Sequence, residues 1–269
     1  MGDQARKSGQ PPLVFKPYQR GTLLSGLAVK RGLRLLIYYG VFVLVHLALG
    51  NILQTDNAVF RVAANGLLLA GEAGILFLDG AKLGETETAR GEIAHQRAQA
   101  GKPVDRADLD RCFHPGKGWI IALAAAVPLL LVCVFYALTA KKQVYSLQAL
   151  PDWVAAYEGH EEIAQGLQYY AQPQPFSGLD ILRIAVRLLI FPFVCLAGAN
   201  SAALLALDRL SPLLACVPLL GFPLGYRTGP RARAQVHGSI RASARRKKRR
   251  EKKAVQARHA PAAGKKEII

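Results

Sequence analysis

Apolar and polar positions along the chain fall into long blocks rather than into the short alternation of half-buried surface elements. Leu35 to Thr55 contains no Asp, Glu, Lys or Arg, and neither does Gly118 to Ala140. A bilayer core takes about 20 apolar residues of α-helix to cross, so both runs are long enough. Val62 to Leu78 is a third run, shorter and carrying Glu72. Leu188 to Leu207 is a fourth, entered through Arg183 and Arg187. Leu210 to Tyr226 is a fifth, interrupted by Pro218 and Pro223. A soluble chain with this many uncharged blocks would keep too little surface for water. The expected fold is therefore all-α, a polytopic transmembrane helical bundle with four to five membrane segments and a basic C-terminal tail. Residues 1–34 read as a basic N-terminal segment, 35–226 as the membrane domain and 227–269 as the tail.

Punctuation sets the remaining elements. Asp208-Arg209 separates the fourth and fifth runs, and Ser211-Pro212 follows as a helix-start signal, so one helix is expected to stop there and another to begin. Glu85 to Ala100 is rich in helix formers and should end at Gly101, with Lys102-Pro103 as a turn. Asp105 can then cap a second short helix that finishes near His114-Pro115-Gly116. The segment Asp152 to Tyr170 also reads as helical. No internal repeat or heptad pattern is present.

Charge changes this picture by giving it a direction. The net charge is +17 although mean hydropathy is mildly positive. The two coexist because residues 227–269 hold 15 Lys and Arg against Glu251 and Glu267. Segment 143–182 contains neither Lys nor Arg, and it carries Trp153, Tyr145, Tyr157, Tyr169 and Tyr170, which favour the interface. It reads as external. Loop 81–117 has seven basic residues and the first 34 residues have seven more, so both read as internal. Five full spans cannot put both termini inside. With all five crossing, basic residues divide 20 to 15; with the fifth dipping back or lying along the inner face they divide 30 to 5; with the Glu72 run not crossing they divide 26 to 9. The 30-to-5 arrangement is preferred. The expected location is the cytoplasmic membrane of a bacterium, multi-pass, with a cytoplasmic C-terminus. About thirty polar and basic residues precede the first run, so it is expected to be a retained anchor and not a cleaved signal.

Cys112, Cys133, Cys195 and Cys216 are far apart, without a C-x-x-C, so no zinc or disulfide framework is expected. Three stretches carry a resemblance. They are Cys112-Phe-His-Pro-Gly-Lys-Gly118, Leu150-Pro-Asp-Trp153 and Asp180-Ile-Leu-Arg-Ile-Ala-Val-Arg187. Together they resemble uncharacterised polytopic membrane proteins of bacteria, from roughly residue 70 to the tail. The resemblance implies a bacterial cytoplasmic membrane and brings no activity with it.

Ionisable groups at membrane depth are costly, which makes each a functional candidate. Glu72 is the sharpest. Gly66, Ala70 and Gly74 form a small-residue stripe of the kind that lets helices approach, and Glu72 lies off it. Its expected partner is His46, at a similar depth if the first two spans run antiparallel. Such a pair could move protons or bind a cation, or it could simply be a satisfied hydrogen bond. Asn200 could bond across helices. Arg183 and Arg187 share a helix face and could reach lipid phosphates, pair with Glu161 and Glu162, or snorkel. Cys112, His114 and His95 are too scattered for a metal site. His160-Glu161-Glu162 lacks the second His of a zinc protease motif. No phosphate loop or nucleophile elbow is present, so no catalytic residue, cofactor or metal is expected.

The tail is the most distinctive element. Arg245, Arg246, Lys247, Lys248, Arg249 and Arg250 are consecutive cations, and Lys252 and Lys253 follow. An anionic leaflet suits such a run, each basic residue contributing about 1 kcal/mol near the surface. Ribosomal RNA suits it through phosphate contacts, although no aromatic residue follows Tyr226 to stack on bases. The leading expectation is a non-enzymatic scaffold or accessory subunit, with anionic phospholipids and other membrane subunits as partners. The alternatives are a small transporter or channel component using His46 and Glu72, and a membrane-tethered factor that recruits ribosomes.

Overall fold

A computed structural model describes residues 13–140, 177–198 and 201–259. The expected helix over 152–170, with Glu161 and Glu162, lies outside the described residues, and so does Asn200. All regular structure among the described residues is helical. The elements are α1 (Gly26–Leu53), α2 (Ala58–Gln99), α3 (Arg106–Leu109), α4 (Lys117–Thr139), α5 (Gly178–Leu189), α6 (Phe191–Ala197) and α7 (Ser201–Cys216). A 3₁₀ turn (Pro218–Leu220), α8 (Gly221–Arg227) and α9 (Gly229–His259) complete them. Four helical stretches are long and apolar enough to cross a membrane: Gly26–Gly50, Ala58–Gln99, Lys117–Thr139 and Ala202–Arg227.

Three expectations are corrected here. The Val62–Leu78 run and the Glu85–Ala100 helix are one helix, α2, of 42 residues. The fourth expected segment, 188–207, is not one span. Ile190 separates α5 from α6, and α6 ends at Gly198, whose φ of 59° lies in the left-handed region that glycine tolerates. No break occurs at Asp208-Arg209, because α7 runs through Pro212. Proline lacks the N–H that Asp208 O would accept, and the Ser211 hydroxyl takes its place, donating to that carbonyl at 2.8 Å. Ser211 thus mends a helix instead of starting one.

The chain forms two compact units. The first comprises Val29–Ile75 and Ile121–Leu220. Along α1 it buries Leu35, Tyr39, Phe42 and His46, spaced alternately four and three residues apart, which is one face of a helix. Gly32 continues that face against α4, where a methyl would press on Ala124 Cβ and Ile121 O at 2.5 and 2.6 Å. Cys133, Tyr136, Ala140, Val186, Ile190 and Ala215 form the core between α4, α5 and α7. The outward positions, such as Leu131, Leu138 and Leu213, are large and apolar, as a lipid-facing surface requires. Carbonyls freed at helix ends are captured by side chains, which membrane depth demands. Tyr39 donates to Ala215 O at 2.7 Å, and Asn65 Nδ2 donates to Leu53 O at 3.1 Å. Asn57 caps α2, its Oδ1 accepting from the N–H groups of Val59 and Phe60 at 3.0 and 3.1 Å.

The second unit comprises the described parts of Met1–Ala28, Leu76–Ile120 and Gly221–Ile269. Glycines on two helices let backbones touch. A methyl on Gly80 or Gly84 would overlap Phe222 O or Tyr226 O, and one on Gly225 would overlap Phe77 O. These glycines continue α2 instead of ending it because the contact with α8 needs them. The expected stripe of Gly66 and Gly74 makes no such contact, since a methyl on either meets nothing within 4 Å. An extended N-terminal segment is pinned by Val14 N to Ala234 O (3.1 Å), Gln19 N to Gly91 O (2.9 Å) and Gly21 N to Phe113 O (2.9 Å). The stop after α2 falls where expected, with Gly101 at φ 73°. The second helix of the loop shrinks to the single turn of α3, and Asp105 makes no side-chain cap bond.

Candidate functional site

Three buried glutamates on α2 organise much of the polar chemistry, Glu72 in the first unit and Glu87 and Glu92 in the second. In the first, Glu72 Oε1 meets His46 Nε2 at 2.6 Å, with His46 1% and Glu72 5% exposed. The other ring nitrogen, Nδ1, lies 2.9 Å from Leu188 O. That carbonyl is free because its helical donor position is Pro192, which has no N–H. A carbonyl only accepts, so Nδ1 carries a hydrogen. A carboxylate facing a bare Nε2 lone pair would be repelled, so the short contact holds one proton, shared between Nε2 and Oε1. Whether written as imidazole with carboxylic acid or as imidazolium with carboxylate, the pair is net neutral. Phe191 stacks on the imidazole with centroids 6.1 Å apart and closes that side.

In the second unit Glu87 and Lys117 are both fully buried. Lys117 Nζ donates to Glu87 Oε1 and Oε2, each at 3.0 Å, and to Asp110 O and Cys112 O at 2.6 and 3.3 Å. The Tyr226 hydroxyl donates to Glu87 Oε2. Its ring stacks on Phe113 at 5.0 Å, and Gly118 leaves room for it, since a methyl there would sit 2.9 Å from the ring. The stretch Cys112–Gly118 is thus a turn folded around one ammonium group. Burial pushes the Cys112 thiol above its ordinary range, against a partial lowering by Lys117.

A third carboxylate, Glu92, docks the start of the basic helix. His237 Nε2 lies 2.8 Å and 2.9 Å from its two oxygens, and Arg233 Nε donates to Oε2 at 3.2 Å. Beyond that point Arg241, Arg245, Arg246, Lys247, Lys248, Arg249, Arg250 and Lys252 are exposed. The Lys253 side chain lies outside the described residues. Arg241, Arg245, Arg246 and Arg249 line a shallow groove along α9.

The two arginines of α5 are engaged within their own unit. Arg187 grips Asp208 with two bonds, Nε to Oδ1 at 3.0 Å and Nη2 to Oδ2 at 2.8 Å. Arg183 donates to the Tyr136 hydroxyl at 3.1 Å and lies 3.5 Å from Asp180.

The structure brings His46 and Glu72 together, as their depth predicts. Sequence reasoning missed Glu87, Lys117, Tyr226, Glu92, His237 and Asp208. One signal was available: Gly80, Gly84, Thr88 and Gly91 recur at helical spacing, and Glu87 sits beside that stripe. In the sequence Lys117 is one of the seven basic residues of loop 81–117, with no local signal that sets it apart. Among the described residues, no cluster of three or more His, Cys, Asp or Glu side chains is placed to hold a metal ion. Comparison with known protein families, characterised proteins and solved structures gives no match.

Proposed function

We propose that the protein is a non-enzymatic integral membrane protein, a scaffold or accessory subunit whose basic C-terminal helix lies on an anionic membrane surface. The observation that carries this reading is the split character of α9. Its first turns are fixed by Arg233 and His237 on Glu92 and by Val14 on Ala234, while its cations from Arg241 to Lys252 stay exposed. A helix held at one end offers its charge at high local concentration to whatever anionic surface lies beside it. Four crossings support the orientation. An even number returns the C-terminus to the side of the N-terminus, so both basic ends share a side with loop 81–117, and cations on the inner side follow the usual rule. A bacterial cytoplasmic membrane fits this arrangement.

Trypsin digestion of the full-length protein in nanodiscs tests the proposal. At physiological salt the sites in 245–253 should be protected when the discs contain phosphatidylglycerol and cut freely in pure phosphatidylcholine. Equal digestion in both would refute it. Protection only by added ribosomes would support an RNA-directed tail instead.

A second reading is favoured by the proton held between Nε2 of His46 and Oε1 of Glu72. It makes the first unit a proton- or cation-handling subunit. Under this reading Glu72→Gln abolishes pH-dependent flux into proteoliposomes; a scaffold shows no such flux with either residue.

A further inference from the structure

Arg61 stands in the first turns of α2 in a membrane-crossing stretch, and among the described residues its charge has no counterion. Its Nε is buried without a hydrogen-bond partner, and no acidic side chain among the described residues forms an ion pair with it. Asp56, just before α2, is exposed and does not reach it, and the first turn of α2 holds no acidic residue. The position compounds the cost. A helix N-terminus is already positive, so a cation there adds like to like. One turn on, Asn65 is completely buried. Its Nδ2 is used twice, donating to Arg61 O at 2.8 Å and to Leu53 O at 3.1 Å, while its Oδ1 has no partner. An acceptor stripped of water and left unpaired is costly unless something donates to it. The guanidinium faces Gly198, which brings no side chain to it: even an added methyl would come only within 3.6 Å of Nη1 and 3.9 Å of Nη2.

We propose that Arg61 and Asn65 form a binding site for an anionic phosphate ester that carries a free hydroxyl. The guanidinium takes the phosphate oxygens and the hydroxyl donates to Asn65 Oδ1. Two separate deficits, an unmatched cation and an unmatched acceptor one helical turn apart, are met by one ligand with both functions. A glycerol-type phospholipid headgroup and a free glycerol phosphate share that chemistry. The site lies within the first unit and does not depend on the basic helix of the second.

The test is titration of the purified full-length protein in neutral detergent, read by native mass spectrometry. Three ligands are used: phosphatidylglycerol, phosphatidylmethanol (the same charge without a hydroxyl) and glycerol 3-phosphate. Wild type should bind one phosphatidylglycerol roughly tenfold more tightly than phosphatidylmethanol, and Arg61→Gln should lose about tenfold of that affinity or more. Arg61→Lys, which keeps the charge but not the Nε–H, should recover only part. A thermal midpoint for each variant confirms folding, and Asn65→Asp gives a second readout by repelling the phosphate. Trimming 241–269 should leave the effect intact, separating it from binding by the tail. Binding of glycerol 3-phosphate with the same dependence on Arg61 would assign the site to a soluble ligand. Equal binding by wild type and Arg61→Gln, or equal binding of the two lipids, would overturn the proposal.

Discussion

Glu72 and Glu87 lie on one helix, are both buried, and are satisfied in opposite ways. Glu87 faces an ammonium and a phenol, and Lys117 spreads its three N–H donors over four oxygens. Charge, count and geometry match, so nothing in that cluster is left to move. Glu72 faces one imidazole, and a single proton serves both partners. The first arrangement is a staple that ties α2 to the start of α4 and to α8. The second is a hydrogen bond in which two partners share one proton. Burial alone therefore does not mark a functional carboxylate; what its partner can do with a proton decides.

The largest effect should come from breaking the staple on one side. Lys117→Met leaves Glu87 buried without its cation, which costs about 3–5 kcal/mol. Denaturation in mild detergent should show that loss, and adding Glu87→Gln should recover at least half of it. If the single variant is as stable as wild type, the cluster is not the staple described. Next comes close packing in the same unit. Gly225→Ala should cost roughly 1–3 kcal/mol because its methyl would overlap Phe77 O, while Gly74→Ala should cost nothing measurable. A smaller change is expected at the other glutamate. Glu72→Gln can still donate an N–H to His46 Nε2, so stability should fall by about 1 kcal/mol or less. The same substitution at Glu87 should cost more, and equal losses would erase the distinction between the two sites. Least of all, Cys112 should resist maleimide in the native protein up to pH 8 and react once unfolded, because burial raises its thiol and its Sγ donates to Asp108 O at 3.2 Å.

Much of the scaffold can be read along the chain because membrane helices announce themselves by length and charge. The runs at 35–55 and 118–140 lie almost wholly within α1 and α4, and Gly101 ends α2 as its turn chemistry demands. His46 and Glu72 could be matched because two ionisable groups at one depth leave few other solutions. What stayed hidden is tertiary. Ser211-Pro212 has the local form of a helix start, and only the bond from Ser211 to Asp208 O shows that the helix continues. Gly66, Ala70, Gly74 and Gly80, Gly84 have the same spacing, yet only the second set meets another backbone. Lys117 between two glycines looks like a turn cation, but its carboxylate partner lies thirty residues before it, and the tyrosine that shares that carboxylate lies over a hundred after it in the chain.

The central claim is that four helices cross a membrane and that the cations gather on one side of it. Reporter fusions after Asp56, Val104, His160 and His259 in intact cells test it most directly. The account predicts external signals at Asp56 and His160 and internal signals at Val104 and His259. An external signal at His259, or Val104 and His160 on the same side, would contradict it.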